Sequence, residues 1–554
     1  MKITRYIVLL QFSLITSFAW SQIQLGDKVS LSGSLQADVL FPQEDEAIGT
    51  GTYDDWGLTN TYLDLNLLSK YVSAGARLEY LDHPLPGFEK DFAGWGVPYI
   101  YVTGKYKGVE LTVGDFYDQF GNGFIYRTYE ERSLGVDNSL RGARLVVRPF
   151  KGINIKMLGG KQRYYWQNKG YLWQGRYWNN PRRDSYVFGA DAELNVEQWF
   201  KRMQESNTYL TLGVSYVGRQ EDDEIVEAPV PNKRLNLPDV VNAYDFRAQL
   251  QKGNYNFMVD YAIKGCDPSS DNYYIYKNGS AVMVSGSYSK RGMSALIQAK
   301  RSDNMSYRSN RTINGVSTAS FINNMPVFSY QHTYNLATIY PYSTQTAGEW
   351  AFQGEFSYNF KRKTALGGKY GTNIKLNFSH IRSIYGQFDN VAQLKGTNGK
   401  EANFFDMSGG VYYQDAHIAI EKKLSKVFKL NVMYINQLYN PKANGHIDED
   451  LVQSNIFVAE GKYQINKKIS LRAELQYLLA SDYRTLNGAP ETAPLERSNQ
   501  GDWMFGLIEL AIAPSFMFSV SDMYNVGATN NHYYNVSGVV THKSHRLQVG
   551  YGKT

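Results

Sequence analysis

The chain has a single cysteine, Cys266, in 554 residues, which excludes an internal disulfide and, so far from the N-terminus, lipid attachment beside a leader. Charge of one sign is also scarce: 58 Lys and Arg against 52 Asp and Glu leave +6, with no basic stripe, and no nucleic acid is expected as a partner. Beyond residue 21 no run approaches the roughly 20 apolar residues of a membrane helix. With a mean hydropathy of −0.42, a helical membrane protein is excluded. Catalytic patterns are missing as well. There is no Gly-x-Ser-x-Gly elbow, no His-Glu-x-x-His and no phosphate loop, and the eight histidines are scattered. The chain reads as no enzyme, with no cofactor and no metal. What it has in excess is aromatic: 44 Tyr, 27 Phe and 9 Trp, a composition suited to strands.

Residues 1–21 combine a basic start (Lys2, Arg5), an apolar stretch from Tyr6 to Ala19 and an Ala19-Trp20-Ser21 ending, the pattern of a secretory signal peptide. The remainder, 22–554, reads as one domain of period two. Val29, Leu31, Leu35, Ala37 and Val39 fall on one parity, and Ser30, Ser32, Ser34, Gln36 and Asp38 on the other. The pattern recurs through Leu210–Tyr216, Tyr244–Leu250, Tyr255–Ile263 and Phe352–Phe360 to Leu547–Tyr551. Segments this long match tilted transmembrane strands of about 9–11 residues better than globular strands of about five or six. Tight connections such as Gln251-Lys252-Gly253-Asn254 alternate with long ones. The expected fold is all-β: a large antiparallel transmembrane β-barrel of about 22–24 strands, with long extracellular loops and short periplasmic turns, in the cell outer membrane. Tyr99, Tyr101, Trp350 and Tyr358 are assigned to interfacial girdles.

Counting gives 23 candidate strands, whereas single-chain barrels close with an even number. Arg546–Gly552 is followed by Lys-Thr rather than ending on an aromatic residue, so a final loop and strand are expected to be lacking; a miscount by one is the alternative. No globular plug precedes the first strand, which argues against TonB coupling. A lumen of this width must then be filled by loops or by large inward side chains.

Three loops are candidates for the chemistry. In the first, from Gly114 to Gly142, glycines and both charge signs suit an inward-folded eyelet, with Asp115, Arg127, Glu131, Arg132, Asp137 and Arg141 at a constriction. A strand extension with surface ion pairs is the plainer reading, and composition alone favours it. The second concentrates rings and guanidinium groups, Tyr164, Trp166, Trp173, Arg176, Trp178, Arg182 and Arg183, able to stack on sugars or hold lipopolysaccharide phosphates; rings packing on one another is the plainer alternative. The third, Arg301 to Trp350, either plugs or caps the barrel. The run Glu221-Asp222-Asp223-Glu224 reads as a solvated loop. Inward faces mix signs, as in Asp64, Arg77 with Glu79, Asp191 with Glu193, Asp245 with Arg247, and Arg472 with Glu474, which fits paired charge better than an ion-selective lining.

The strings Gly114-Asp115-Phe116-Tyr117 … Phe120-Gly121 … Arg127-x-Tyr129 … Gly135-x-Asp137-Asn138 … Gly142, Lys264-Gly265-x-Asp267-Pro268 and Asp303-Asn304-Met305 resemble an outer-membrane barrel family of Bacteroidota with no settled function. The resemblance implies the outer membrane and no assigned substrate. The expected function is a pore or transport component. The alternative is a non-conducting subunit of a secretion or barrel-assembly complex. Expected partners are outer-membrane lipid and lipopolysaccharide and, in the second case, other outer-membrane or periplasmic proteins.

Overall fold

The computed structural model describes residues 22–24, 28–50, 56–81, 83–88, 92–163, 183–222, 224–312, 320–385, 394–441, 451–482, 501–526 and 528–553. They form one antiparallel sheet of 24 strands. A three-residue strand, Gln22–Gln24, folds back on Val29–Leu40. From there 23 longer strands follow in chain order to His545–Gly552, each paired with its neighbours in the meander. Only between Val109–Phe116 and Leu140–Val147, which pair directly, does a small inserted hairpin intervene. Among the described residues the only α-helix is Lys201–Glu205, and no helix is long and apolar enough to cross a membrane, a fact that says nothing of strands.

Alternation along each strand produces two faces. On Tyr255–Lys264, Tyr255, Phe257, Val259, Tyr261 and Ile263 are exposed, while Asp260 and Lys264 are buried. Val240–Lys252 repeats this with Tyr244 and Phe246 outside and Asp245 inside. Apolar surface costs about 25 cal/mol per Å² in water. A continuous outer band carrying side chains such as Ile297 at 74 % exposure therefore calls for hydrocarbon as its solvent. Strands of 10–13 residues rise about 3.3 Å per residue, enough to cross the core of a bilayer at a tilt.

The sheet wraps around material supplied by its own loops. The loop after Val109–Phe116 reaches Asp64 on one strand and Asp260 on another nine strands along the wall, through Arg132 and Asn122. The loop after Met293–Asp303 reaches Gln162 and Gln476. A single interior body touched from so many strands requires a closed wall. The first and last long strands, Val29–Leu40 and His545–Gly552, run in the same sense, and among the described residues no ladder joins them. Their loop-side rims are joined instead by Lys553 to Asp45 at 2.7 Å and by the Asn531 amide to the Ala47 carbonyl at 3.2 Å.

Two sequence expectations are corrected. Tyr99 and Tyr101 face the lumen rather than a lipid interface: Tyr99 stacks on Tyr117 at 5.0 Å, and Ile100 and Val102 take the outer positions. One extra residue at a bulge between Arg77 and Glu79 sets this local register. Glu221 is not solvated, because Arg311 reaches it at 3.0 Å from the lumen.

Candidate functional site

The lumen holds two chain segments, 117–139 and the described residues 304–312 and 320–346, and its chemistry is theirs. The first enters from Asp115, whose carboxylate receives the Arg141 guanidinium (2.6 Å) and the Ile100 N–H (2.8 Å). These two residues sit opposite each other in the ladder. Past them, Phe120, Phe124, Ile125 and Tyr126 are buried in the interior core. Gly121, at φ +49°, lies where an added Cβ would fall 2.8 Å from Arg247, so the turn there needs glycine to pass that guanidinium. Arg247 is itself held by Asp191 and Glu193 (2.9 Å), both on Tyr186–Asn195, and by Asp245 (2.9 Å) on its own strand, part of the mixed-sign ladder.

The densest charge lies at residues 130–137. Asp137 accepts from Arg77, from Arg163 at 2.6 Å and from the Tyr117 hydroxyl at 2.9 Å. Arg163 also grips Glu79, and Arg77 reaches Glu130 at 2.6 Å. Burial works to raise the Asp137 pKa, but Arg163 and Arg77 win and hold its carboxyl well below the usual range. Arg132 bridges Glu130, Asp64 (2.9 Å) and the Tyr62 ring. The cavity left between Glu79, Arg132, Asp137 and Arg163 measures about 10 Å³, at the lower limit for one water.

Of the six residues read as a constriction, Arg132 and Asp137 thus join one buried network, and Asp115 and Arg141 form a pair a short way along the same wall. Arg127 lies over the Tyr129 ring at 4.6 Å. Glu131 is exposed and caps the turn Arg132–Leu134 through the Ser133 N–H. Their ion pairs are interior rather than on an outer surface. Tyr164, Trp166, Trp173, Arg176, Trp178 and Arg182 lie outside the described residues; Arg183 is buried, its N–H on the Gln162 carbonyl.

The second segment begins with charge. Arg308 pairs with Asp271, Arg311 with Glu221, and Arg219 donates to the Arg308 carbonyl at 2.6 Å. Burial pushes the Asp267 carboxyl up, yet the neighbouring Arg219 and Lys264 bring it below its ordinary value. Residues 321–324 then lock onto the first segment. The Arg127 N–H donates to Ile322, Asn324 to Gly123, and the Asn138 and Asn323 amides to Phe321 and Phe124, all at 2.8–2.9 Å.

Beyond Phe328 the means of attachment change. From Thr312 to Gly348 there is no Asp, Glu, Lys or Arg. The stretch is held by neutral bonds, Leu336 N–H to Gln476 (3.0 Å), Gln437 to the Ala337 carbonyl (3.1 Å) and Asn431 to the Tyr334 hydroxyl, and by bonds to carboxylates of the wall, Gln345 N–H (2.8 Å) and the Tyr342 hydroxyl to Glu349 and the Tyr334 hydroxyl to Glu460 (3.4 Å). Tyr340 stacks on Tyr439 and Tyr342 on Tyr413, each at 5.4 Å. His332, its only histidine, meets Asp415 at 2.7 Å, and Asp415 also receives His417 at 2.8 Å. The sequence reading missed this trio. Asp-x-His places Asp415 and His417 on one face of a strand, but nothing local points to His332.

Burial of the inward side chains is graded. Near the loops Arg219 and Lys300 are fully enclosed. Toward the short turns Lys375, Lys429 and Lys462 open to 40 %, 51 % and 56 % exposure. The lumen is therefore filled from the loop side and opens as a polar vestibule on the turn side.

Fold and interior together define a class: a single-chain antiparallel barrel plugged by loops of its own wall. The chain belongs to a family of unknown function, DUF6029, which matches it over residues 1–554. No curated protein matches the sequence. Among solved structures it is similar to Pseudomonas aeruginosa OpdK with vanillate (12 % identity, TM-score 0.36, covering 78 % of this chain and 97 % of that one). It is also similar to Acinetobacter baumannii OccAB3 (10 %, TM-score 0.33, covering 89 % and 98 %). A third is the siderophore receptor PirA from Pseudomonas aeruginosa (9 %, TM-score 0.40, covering 96 % and 78 %).

Proposed function

We propose that this protein is an outer-membrane barrel of Bacteroidota, exported by the leader 1–21, that serves as a transport component closed at rest and works without TonB and without catalysis. One observation carries the reading. The part of the plug from 329 to 346 hangs over a polar vestibule and carries no lysine, arginine or carboxylate to fix it to the wall. A neutral hydrogen bond is worth about 1 kcal/mol net and one to a wall carboxylate about 1.5–3 kcal/mol, so each tie of this part costs less to release than a buried ion pair broken one-sidedly, at about 3–5 kcal/mol. The plug belongs to the wall itself, so opening needs no pull on a separate domain. Lipid and lipopolysaccharide are the surroundings the outer band and loops suit.

The charge lock of residues 130–137 favours a second reading, a non-conducting barrel that docks partners of a secretion or assembly complex. Single-channel recording separates the two. In planar bilayers the full-length protein is expected to be silent, and a variant with residues 329–342 replaced by a short Gly-Ser linker is expected to show discrete steps. If that variant folds, by heat-modifiable gel migration, and stays silent, the transport reading fails and the docking barrel stands.

A further inference from the structure

His332 comes from the plug, while Asp415 and His417 lie on the lumen face of the wall strand Val411–Lys423. The three offer two imidazoles and a carboxylate whose ligating atoms all lie within 4.8 Å of one another. All three side chains are buried, to 2 %, 0 % and 1 % exposure. Around one tetrahedral zinc, with bonds of about 2.0–2.1 Å, such atoms stand roughly 3.3 Å apart, so the set is within a small side-chain movement of a binding geometry. Two further observations fit a ligand. Nδ1 of His332 is buried and has no hydrogen-bond partner, so no neighbour fixes the imidazole tautomer, and Nε2, the nitrogen turned toward Asp415 at 2.7 Å, can give its lone pair to an ion beside that carboxylate. The carboxylate is in turn fixed by the Gln437 and Asn377 amides at 3.0 and 3.2 Å, as the supporting residues of a metal site are. Tyr330 packs edge-on against His417 at 4.4 Å and stiffens the ring.

We infer that His332, Asp415 and His417 bind one borderline divalent transition cation of the zinc class, through imidazole nitrogen and carboxylate oxygen. Two imidazoles and one carboxylate suit such a cation, and Mg²⁺ or Ca²⁺, which take all-oxygen shells, suit the site poorly. The ion ties the uncharged half of the plug to the wall at its one ionisable anchor. Its use as a clamp on the plug rests on the transport reading; its binding does not.

The test uses the full-length barrel, free of any affinity tag, refolded from urea into detergent with Zn²⁺ present, because the site is enclosed once the plug is seated. Metal is then counted by elemental analysis after gel filtration, and affinity is measured by competition with a chromophoric chelator. A background with three surface histidines removed (His532→Ala, His542→Ala, His545→Ala) controls for surface binding. The expected result is one zinc per barrel in the wild type and in this background, with affinity falling at least tenfold in His332→Ala and in His417→Ala. Folding is checked by heat-modifiable migration, and His332→Gln replaces the alanine variant if that one fails to fold. Zinc lost from the surface-histidine background, or retained in both site variants, overturns the inference, as does no zinc in the wild type. One zinc in the wild-type barrel, together with a silent 329–342 linker variant, leaves the site standing and removes only the clamp.

Discussion

Residues 130–137 and residues 329–346 fill the same lumen, the first through Arg77, Arg132 and Arg163 on Glu79, Glu130 and Asp137, the second through amides, stacked tyrosines and one histidine. In a low-dielectric interior these two kinds of attachment respond differently to loss. A carboxylate removed from the first leaves cations stranded, so damage is large and shared across the network. A bond removed from the second costs its own net value and little more. The comparison assigns a fixed part and a releasable part to one plug, joined at residues 321–324.

The largest effect should come from stranding charge. Asp137→Ala is expected to lower the unfolding free energy in detergent by about 3–5 kcal/mol, read from the urea midpoint of the refolded barrel by tryptophan fluorescence. Tyr334→Phe, which removes one hydroxyl shared by Asn431 and Glu460, is expected to cost about 1 kcal/mol in the same assay. Equal losses would erase the distinction between the two parts.

Acid sharpens the same contrast. The Asp137 carboxyl is depressed in the fold, so its contribution is complete above the ordinary carboxylate pKa of about 4 and is lost as pH falls toward the depressed value. Between pH 5 and pH 2 the wild type should lose stability progressively, and Asp137→Asn should show a flatter profile. An identical slope in both proteins would mean that other carboxylates govern the acid limb.

How much of this was legible in the chain follows from period and distance. Alternation at Tyr244–Leu250 and Tyr255–Ile263 needs only local residues, so the strands, their approximate number and the inward placement of Asp245 and Arg247 could be read directly. The glycines and mixed charge of 114–142 marked a segment that turns sharply beside a wall. Whether its ion pairs lay outside or inside could not be read, because their partners, Arg77, Glu79 and Arg163, come from other strands. Tyr99 and Tyr101 were misplaced because a bulge in their own strand, between Gly96 and Tyr99 opposite Arg77 and Glu79, resets parity without a signature in the alternation. The His332–Asp415 contact spans 83 residues and depends on where a loop returns, which no spacing encodes.

The smallest effect tests the seam between the two parts. Arg127 makes no ion pair among the described contacts and lies over the Tyr129 ring, while its backbone N–H holds Ile322 of the other segment. Replacing the side chain with alanine removes an interaction worth about 0.5–1 kcal/mol when partly exposed and leaves the backbone bond in place. Arg127→Ala should therefore shift the urea midpoint only slightly and leave the barrel silent in bilayers. Arg132→Ala, which unpairs Asp64 and leaves Glu130 to Arg77 alone, should cost more than Arg127→Ala does. If Arg127→Ala instead opened steps as large as those of the linker variant, the seam would be held by this side chain rather than by the backbone bonds of residues 321–324. The releasable part would then begin at the first segment.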